Sequence, residues 1–236
     1  MAILTSTSIL TQFERNGYAL IRNPFSNGQI DKLTSAIEKF REEKTSAMSA
    51  GFRNLLKQCS EVREFANSKE IREIVIALQG EKSKPVRSIF FDKTPASNWY
   101  VTWHQDLSIA IEKRIDTEGF GPWTIKDGTT HTQPPEEILE QIVSLRIHLD
   151  ACPKENGAIK FVAGSHKNGI LDPADVPNII ESSTVNCCEA EKGDVILMRP
   201  LILHSSSKST SPDHRRVLHL EFSSIQLPNG LSWTEA

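Results

Sequence analysis

Residues 98–110, "NWYVTWHQDLSIA", contain a histidine and an aspartate two positions apart in a run rich in strand-forming residues. In a β-strand, residues i and i+2 point to the same face, so His104 and Asp106 project together while Gln105 points the other way. Such a pair is a surface pair, a hydrogen-bonded pair in the core, or two ligands of a metal ion. The rest of the chain decides among these three interpretations.

From about residue 85 onward the chain consists of short strand-like runs separated by Gly, Pro, Asn and Asp. Many short strands without alternating helices predict an antiparallel β-sandwich or barrel. Residues 1–84 are instead predicted to be mostly helical, and no linker separates them from the strands. We therefore predict one domain over residues 1–236, mainly β with flanking α-helices, in which a helical flank (1–84) packs outside a β core (85–227). The strand-like runs are "VRSIFFD", "WYVTWHQD", "QIVSLRIHLD", "AIKFVAG", "DVILMRPLILHSS" and "RRVLHLEFSSI".

The composition narrows the class of protein. Hydrophobic residues make up 38% and charged residues 24% of the 236 positions, which suits a packed core rather than a disordered chain. A net charge of −3 and a pI near 6.2 argue against a nucleic-acid-binding protein that relies on a basic surface. No apolar run approaches the ~20 residues that a membrane helix needs, and the first residues lack the basic segment of a signal peptide.

The four cysteines, Cys59, Cys152, Cys187 and Cys188, match no zinc-binding spacing. Adjacent cysteines such as Cys187 and Cys188 make an awkward disulfide, so we predict reduced thiols. Composition and cysteine usage together predict a cytoplasmic protein with neither nucleic acid nor a membrane as its partner. They leave the oligomeric state open.

His204 is the candidate for a third metal ligand, since it follows the apolar run in "DVILMRPLILH" (194–204). A strand that ends in a histidine suits a ligand at the mouth of a barrel. Two histidines and one carboxylate on one side of a metal ion leave three coordination positions open, which is the ligand set of non-haem Fe(II) oxygenases. The pair of His104 and Asp106 alone is a weak signal, because such pairs often arise by chance.

A second set of candidate residues follows His204. Ser206 lies two positions further on the same strand face, and Arg215 begins the next strand-like run, with Arg216 as its neighbour. A 2-oxoglutarate cosubstrate chelates iron through its 1-carboxylate and 2-keto oxygens, and its distal carboxylate needs a fixed cation. An arginine offers a two-point fork for that carboxylate, and a serine hydroxyl adds a hydrogen bond. Ser206 and one of the two arginines are therefore candidates for binding this cosubstrate.

These motifs together resemble the phytanoyl-CoA dioxygenase family of Fe(II)/2-oxoglutarate-dependent oxygenases. The matching pieces are "WHQD" (103–106), "ENGAIKFVAGSHKNG" (155–169), the "HSS" that begins at His204, and "FERNGYALIRN" (13–23). The resemblance thus spans nearly the whole chain. In this family the arginine lies eleven positions after the last histidine, which selects Arg215.

The resemblance implies a double-stranded β-helix, the jelly roll of cupin-like proteins, with iron at one open end. It implies that His104, Asp106 and His204 bind Fe(II). It further implies that Arg215 and Ser206 bind 2-oxoglutarate, with O2 as the second cosubstrate. Halogenating relatives replace the carboxylate ligand by a small residue, so the presence of Asp106 favours hydroxylation.

The predicted activity is the Fe(II)- and 2-oxoglutarate-dependent hydroxylation of an unactivated C–H bond in a small or medium metabolite, with release of succinate and CO2. The sequence does not identify that metabolite. Two other functions are compatible with a jelly roll: a metal-dependent cupin-type enzyme that uses no 2-oxoglutarate, and a non-catalytic module that binds a small molecule. The first would keep the three metal ligands without needing Arg215, and the second would need no redox metal.

Residues 107–141 separate two clear strands and contain six Gly or Pro residues. A connection of this length inside a compact domain is usually functional, so we predict a lid or a substrate loop. The alternative is a loop that packs on its own aromatic residues. The candidates for substrate contact in this segment are Phe120, Trp123, His131 and Gln133.

Arg146 is a further candidate for substrate contact, since it alternates with apolar residues in "SLRIHLD" (144–150), as His148 does. The polar face of that strand either meets solvent or lines the cavity, and the sequence leaves both possibilities open. His219 has the same strand parity as Arg215 unless a β-bulge intervenes. The residues whose place relative to the site stays open are Lys93, Asn98, His148 and His219.

Overall fold

The computed structural model describes residues 7–44 and 51–236. Most of the helical residues precede the β region, as the sequence predicts, and two short 3₁₀ turns (Lys154–Asn156 and Ser165–Asn168) follow later. The α-helices are α1 (Thr7–Asn16), α2 (Asn27–Glu43), α3 (Leu55–Gln58), α4 (Ser60–Ala66), α5 (Lys69–Gln79), α6 (Glu136–Leu139) and α7 (Val176–Glu181). None of the helices in the described ranges combines the length and the apolar composition that crossing a membrane requires.

Local sequence signals set the ends of the helices. Ser26 caps α2 reciprocally: its side chain accepts a hydrogen bond from the Gln29 backbone, and the Gln29 side chain accepts one from the Ser26 backbone. Gly17 ends α1 in the left-handed region (φ +81°), where its N–H donates to the Phe13 carbonyl. A side chain at Gly17 would also meet the ring of His166, so this turn packs closely against the β region.

The strands pair antiparallel throughout. They are β1 (Tyr18–Ile21), β2 (Gly51–Arg53), β3 (Lys84–Lys93), β4 (Val101–His104), β5 (Ile109–Ile111), β6 (Trp123–Lys126), β7 (Thr129–Thr132), β8 (Ile142–His148), β9 (Ile159–Val162), β10 (Val185–Cys188), β11 (Val195–Met198), β12 (His204–Ser206) and β13 (Arg215–Ser223). A large sheet has the order β1-β11-β8-β13-β3-β2, and a small sheet has the order β10-β9-β12-β4. A separate three-stranded sheet has the order β5-β7-β6.

One face of the large sheet is apolar and packs against the helices. Leu145 and Ile147 of β8 and Leu218 of β13 are fully buried in the same hydrophobic core as Ile30 of α2 and Ile71 of α5. Burying an aliphatic side chain of this size stabilises the fold by about 1.5–3 kcal/mol. The core therefore fixes the helices on this side of the sheet, and the predicted fold, a mainly β jelly roll with flanking α-helices, is confirmed.

The opposite face of the large sheet carries polar and charged side chains. On β13, Arg215, His219 and Glu221 share this face, because the register with β3 runs without a shift from Arg215 to Glu221. The β-bulge lies beyond them, between Glu221 and Phe222, so it does not change the parity of His219. Residues of β3, β8 and β13 line one cavity together with residues of β4, β9 and β12, so the small sheet faces this polar side.

The N-terminal part of the chain contributes strands as well as helices. β1, which matches the strand predicted in "YALIRN", pairs with β11 at one edge of the large sheet. β2 pairs with β3 at the other edge. Both outer strands of the large sheet thus precede residue 84, so the helical flank and the β core share a sheet. The division of the chain at residues 84 and 85 stays a prediction.

The run "DVILMRPLILHSS" (194–206) is not one strand. β11 ends at Met198, β12 begins at His204, and Pro200 lies in the turn between them. Proline has no backbone N–H and cannot continue a sheet ladder. His204 therefore begins a strand of the small sheet, and the expectation that it ends a strand was wrong.

The segment 107–141, predicted as a lid or substrate loop, has secondary structure of its own. It contains the three-stranded sheet of β5, β6 and β7, followed by α6. Ile109 and Ile111 are fully buried in a second hydrophobic cluster, which also includes Leu139 and Trp233. The alternation of Gly and Pro in this segment marks turns between short strands rather than one long connection.

Asp194 lies just before β11, and its side chain holds this turn to the residues that follow β1. Its carboxylate is fully buried and accepts hydrogen bonds from Arg22 Nη1 at 2.6 Å, from the Asn23 backbone at 3.0 Å and from the Glu191 backbone at 2.8 Å. Removing a buried acceptor leaves its donors without partners, which costs more than the hydrogen bonds themselves contribute.

We expect Asp194→Ala to lower the free energy of unfolding by roughly 2 kcal/mol, because a buried carboxylate, its ion pair with the half-exposed Arg22 and two backbone hydrogen bonds are lost together. Urea denaturation followed by circular dichroism measures this change. Asp31→Ala, which removes an exposed pair with Lys192, is the matched control and should change stability little. Equal effects of the two substitutions would contradict the role given to Asp194.

Candidate metal centre

Two histidines face each other across the small sheet. His104, the last residue of β4, pairs directly with His204, the first residue of β12. Their ring centroids are 4.2 Å apart. Residues directly opposite in an antiparallel pair project to the same side, so both imidazoles point to the same region between the sheets.

Asp106 lies two residues past the end of β4 rather than inside the strand. Its backbone N–H donates to the Pro200 carbonyl at 2.9 Å, which holds the chain extended against the turn that precedes β12. The side chain of Gln105 points away from Asp106 and donates to the carbonyls of Gly169 and Leu201 at 2.8 and 2.7 Å. Gln105 and Asp106 therefore point in opposite directions, as strand parity predicts, and hydrogen bonds of both residues hold this arrangement.

The three side chains form a compact set of donor atoms. His104 Nε2 lies 3.7 Å from Asp106 Oδ1, and His204 Nε2 lies 3.7 Å from Asp106 Oδ2. These separations are too long for hydrogen bonds, which excludes a simple hydrogen-bonded His–Asp pair. One ligand atom from each residue lies within 4.8 Å of the other two, so a single cation can contact all three.

Hydrogen bonds to the backbone fix the tautomer of both histidines. His104 Nδ1 lies 2.9 Å from the Thr102 carbonyl, and His204 Nδ1 lies 2.9 Å from the Ile202 carbonyl. A carbonyl only accepts, so each Nδ1–H donates and each Nε2 keeps its lone pair for a metal ion. This is how protein metal sites usually orient imidazole ligands.

The electrostatics of the set favour a bound cation. Burial lowers the pKa of His204 to about 4, so its imidazole is neutral at pH 7. Burial alone would raise the pKa of Asp106, but His204 and His104 outweigh it and hold the pKa of this carboxyl well below its usual range. An ionised carboxylate and a neutral imidazole are the protonation states in which such groups bind a metal ion.

A cavity of about 250 Å³ lies beside the three groups, between the two sheets. Its lining includes Ser206 from β12 and Arg215 from β13, the two residues expected to bind a dicarboxylate. It also includes Arg146 from β8 and His219 from β13, which pair directly in the sheet register. Of the polar residues of β8, Arg146 therefore lines the cavity, whereas His148 is buried outside the lining, and neither faces solvent.

Arg215 is buried and has hydrogen-bonding capacity left over. Its guanidinium donates to the Gly157 carbonyl, and its Nε has no hydrogen-bond partner among the described residues. Arg216, the alternative, extends to the other side of the strand, where it donates to both oxygens of Asp150 and to Glu38. The two neighbouring arginines therefore have different environments, and only Arg215 meets the cavity.

Lys93 approaches the Arg215 end of the cavity from β3. It pairs with Arg215 in the sheet register, and its Nζ donates to Ser206 Oγ at 3.2 Å and to the Ser207 carbonyl at 2.9 Å. Burial, with Arg215 nearby, lowers the pKa of Lys93 to about 7. Asn98 holds the same turn, since its side chain donates to the Ser209 carbonyl and accepts from the Ser209 backbone.

Of the residues expected to contact a substrate, Arg146 lines the cavity and the four from segment 107–141 do not. Phe120 and Trp123 pack instead on the second hydrophobic cluster, and His131 is fully buried in the three-stranded sheet. The segment reaches the cavity wall through the Ser108 carbonyl, which accepts a hydrogen bond from Arg87 at 2.8 Å. Gln133 is the fourth residue outside the lining, and its backbone carbonyl accepts from Gly121.

Several lining residues were not identified from the sequence. Arg87, Ile89 and Phe91 alternate along β3 and share its inner face, and Arg87 pairs with Glu221 at 3.0 Å. The alternation in "VRSIFFD" was a usable signal, since i and i+2 share a face. The ion pair with Glu221 was not, because it depends on the register between two strands more than a hundred residues apart.

A jelly roll that presents two histidines and a carboxylate beside a buried arginine is the arrangement typical of the class of iron- and 2-oxoglutarate-dependent dioxygenases. A sequence model of the phytanoyl-CoA dioxygenase family (PhyH) matches residues 13–217. The chain belongs to this family, whose members use Fe(II), 2-oxoglutarate and O2.

The chain is similar to one dioxygenase in part of its sequence and to several solved structures in fold. A stretch of 69 residues, 29% of this chain and 20% of that protein, is 41% identical to the dioxygenase himG of Aspergillus japonicus, so the match spans a fifth of that relative. The crystal structure of AviO1 from Streptomyces viridochromogenes Tue57 matches with a TM-score of 0.71 over 97% of this chain and 99% of that one, at 20% identity. The structure of EctD from S. alaskensis with 2-oxoglutarate and 5-hydroxyectoine matches with a TM-score of 0.73 over 92% and 76%, at 16% identity.

His131 gives the three-stranded sheet a dependence on pH. Its side chain is fully buried, its Nδ1–H donates to the Thr129 carbonyl at 3.0 Å, and its Nε2 has no partner among the described residues. Burial, with Arg87 nearby, lowers the pKa of His131 from 6.5 to about 4. The unfolded chain therefore takes up a proton here at a higher pH than the folded chain does.

We expect this histidine to stabilise the fold fully above pH 6.5 and progressively less as the pH falls towards 4. His131→Gln should therefore make the loss of stability between pH 7 and pH 4 shallower by roughly 3 kcal/mol. Urea denaturation of both proteins at several pH values in this range measures the difference. The same pH dependence in the two proteins would show that the buried imidazole is not the cause.

Proposed function

We propose that this protein hydroxylates an unactivated C–H bond of a small or medium metabolite, using Fe(II), 2-oxoglutarate and O2. The observation that carries the proposal is that the donor atoms of His104, Asp106 and His204 converge within 4.8 Å beside the cavity that Arg215 and Ser206 line. The retained carboxylate supports hydroxylation rather than halogenation, which needs a small residue at the position of Asp106.

The residues present fit an iron ion. Both imidazoles keep Nε2 free because Nδ1 donates to a carbonyl, and the carboxyl group is ionised. Two nitrogen ligands and one oxygen ligand on one side of an ion match the preference of non-haem Fe(II) and leave coordination positions on the cavity side. We propose that His104, Asp106 and His204 are the metal ligands.

The residues at the other end of the cavity fit the distal carboxylate of 2-oxoglutarate. Arg215 is buried, has no acidic partner among the described residues and keeps an unpaired Nε. A buried guanidinium without a counter-charge is costly, and a carboxylate relieves that cost through a two-point contact. We propose that Arg215 binds this carboxylate, with a hydrogen bond from the Ser206 hydroxyl and with Lys93 supporting that hydroxyl.

Iron with 2-oxoglutarate and O2 would supply the oxidation of the C–H bond, with release of succinate and CO2. The protein's own part is orientation and exclusion of water. Gln105 and the Pro200 carbonyl hold Asp106 in place, and the main chain holds the two imidazoles. Ile89 and Ile159 give the cavity apolar walls that exclude water from the reacting atoms.

A small molecule is the substrate that the cavity supports best. Its volume of about 250 Å³ also has to hold the cosubstrate, and the space that remains suits a small metabolite, or part of one, rather than a macromolecule. EctD, whose structure contains 5-hydroxyectoine, has the same fold. We also propose that residues 107–141 take part in substrate access, since Ser108 contacts Arg87 in the cavity wall.

We expect His104→Ala and His204→Ala each to reduce the binding of Fe(II) at least about tenfold, because each removes one ligand of three. Iron content and anaerobic titration with Fe(II) measure this loss. His166→Ala, which changes a histidine outside the cavity, is the matched control and should retain the iron. Unchanged iron binding in both ligand variants would contradict the proposed metal centre.

We expect anaerobic addition of Fe(II) and 2-oxoglutarate to give a weak visible charge-transfer band in the native protein. Arg215→Ala should raise the concentration of 2-oxoglutarate needed for this band at least about tenfold, because a desolvated charge pair is lost. Arg216→Ala is the matched control, since its guanidinium contacts Asp150 and Glu38 instead. Equal effects of the two variants, or no band in the native protein, would contradict the role of 2-oxoglutarate and favour a cupin-type enzyme.

A further inference from the structure

The cavity lining holds more positive than negative charge. Three arginines line it, Arg87, Arg146 and Arg215, against two carboxylates, Asp106 and Glu221. All three guanidiniums belong to buried residues. Since an unpaired buried charge is costly, each of these groups is expected to have a counter-charge, either in the protein or in a ligand.

The protein itself provides a partner for one of the arginines. Arg87 forms an ion pair with Glu221 at 3.0 Å, and the same carboxylate oxygen lies 3.4 Å from His219 Nε2. The other carboxylate, Asp106, belongs to the proposed metal ligands and offsets one charge of a divalent ion. Arg146 and Arg215 therefore remain without an acidic partner among the described residues.

The proposed cosubstrate provides a partner for only one of these two arginines. Of its two carboxylates, the distal one is assigned to Arg215 and Ser206, and the other offsets the charge that Asp106 leaves on the metal ion. Lys93 lies at the same end as Arg215, and an ammonium group can lose its proton there, as its lowered pKa indicates. A guanidinium cannot do so at neutral pH, so Arg146 keeps a charge that nothing described so far balances.

The surroundings of Arg146 leave one edge of its guanidinium available. Its Nη1 donates to His219 Nδ1 at 3.4 Å, a long and weak contact. The ring of Phe91 covers one face of the group, 5.7 Å from the guanidinium carbon. Its Nε is buried and has no hydrogen-bond partner among the described residues. A planar cation with a covered face and free N–H groups is well suited to a two-point contact with a planar anion.

We propose that the substrate is a carboxylic acid and that Arg146 binds its carboxylate; this inference rests on the function proposed above. One unbalanced positive charge calls for a monoanion, which favours a carboxylate over a phosphate ester. The apolar part of the acid lies along Ile89 and Phe91, which share the inner face of β3 beside Arg146. Arg146 is thus a specificity-determining residue, distinct from the metal ligands and from the cosubstrate anchor.

The test measures binding without turnover. The protein is loaded with Fe(II) and 2-oxoglutarate in the absence of O2, and the charge-transfer band reports that both are bound. Butanoate, hexanoate and 3-phenylpropanoate are then titrated, each beside its primary amide, and tryptophan fluorescence gives the dissociation constants. Trp99 lines the cavity and serves as the reporter.

We expect each acid to bind the native protein at least about tenfold more tightly than its amide. Arg146→Gln should abolish this preference, while the charge-transfer band still forms and the affinity for 2-oxoglutarate changes far less than it does in Arg215→Ala. Arg146→Lys, which keeps the charge without the fork, should retain part of the preference. Arg15→Gln makes the same change of net charge at an exposed position and should behave as the native protein does.

We expect Arg146→Gln to fold, because removing this buried charge relieves its repulsion with Arg215 and breaks no ion pair. No preference for acids in the native protein, whether the amides bind equally or no acid binds, would overturn the inference. A loss of 2-oxoglutarate affinity in Arg146→Gln with the acid preference intact would also overturn it and assign Arg146 to the cosubstrate. Absence of the band in the native protein would instead overturn the proposed function, and the inference with it.

Discussion

The backbone pairing of β4 with β12 is the constraint on which the site depends. It sets His104 directly opposite His204, so two imidazoles from distant parts of the chain reach one cavity at a fixed spacing. The main chain also selects their tautomers, through a carbonyl two residues earlier in each segment. The donor atoms are therefore oriented by backbone hydrogen bonds rather than by side-chain packing, which gives a coordination site the rigidity that it needs.

The large sheet supports this site because its two faces differ chemically. The outer face buries aliphatic side chains against the helices, and this apolar packing stabilises the sheet. The inner face holds a row of charged and polar groups in the cavity, of which Arg146 and Arg215 keep unpaired N–H groups. A protein tolerates such local cost at a functional site when the rest of the fold offsets it. The same strands thus contribute to the hydrophobic core with one face and to the site with the other.

The parts of the site that could be predicted from the sequence are those that depend only on which face of a strand a residue lies. Period-two alternation gave the shared direction of His104 and Asp106, and it gave the parity of His219, because β13 runs without a bulge until Glu221. Parity could not predict that Pro200 divides one apolar run between two sheets. It also could not predict that residues 107–141 bury their own core, since this depends on Trp233 and other residues far along the chain. Contacts that require the register between distant strands need the folded structure.

The position of β13 in the large sheet has a consequence for the order in which the chain is completed. This strand pairs with β8 on one side and with β3 on the other, yet it follows both of them, and every other described strand, in chain order. Until it emerges, β3 and β8 lack the neighbour that joins them, and their edges are open to pairing with other chains. Arg215 begins this strand, so the cation expected to hold the cosubstrate arrives with the same element that closes the sheet. A nascent chain that stops short of β13 would therefore lack both a closed sheet and a complete cavity, which couples ligand binding to the final, long-range step of folding.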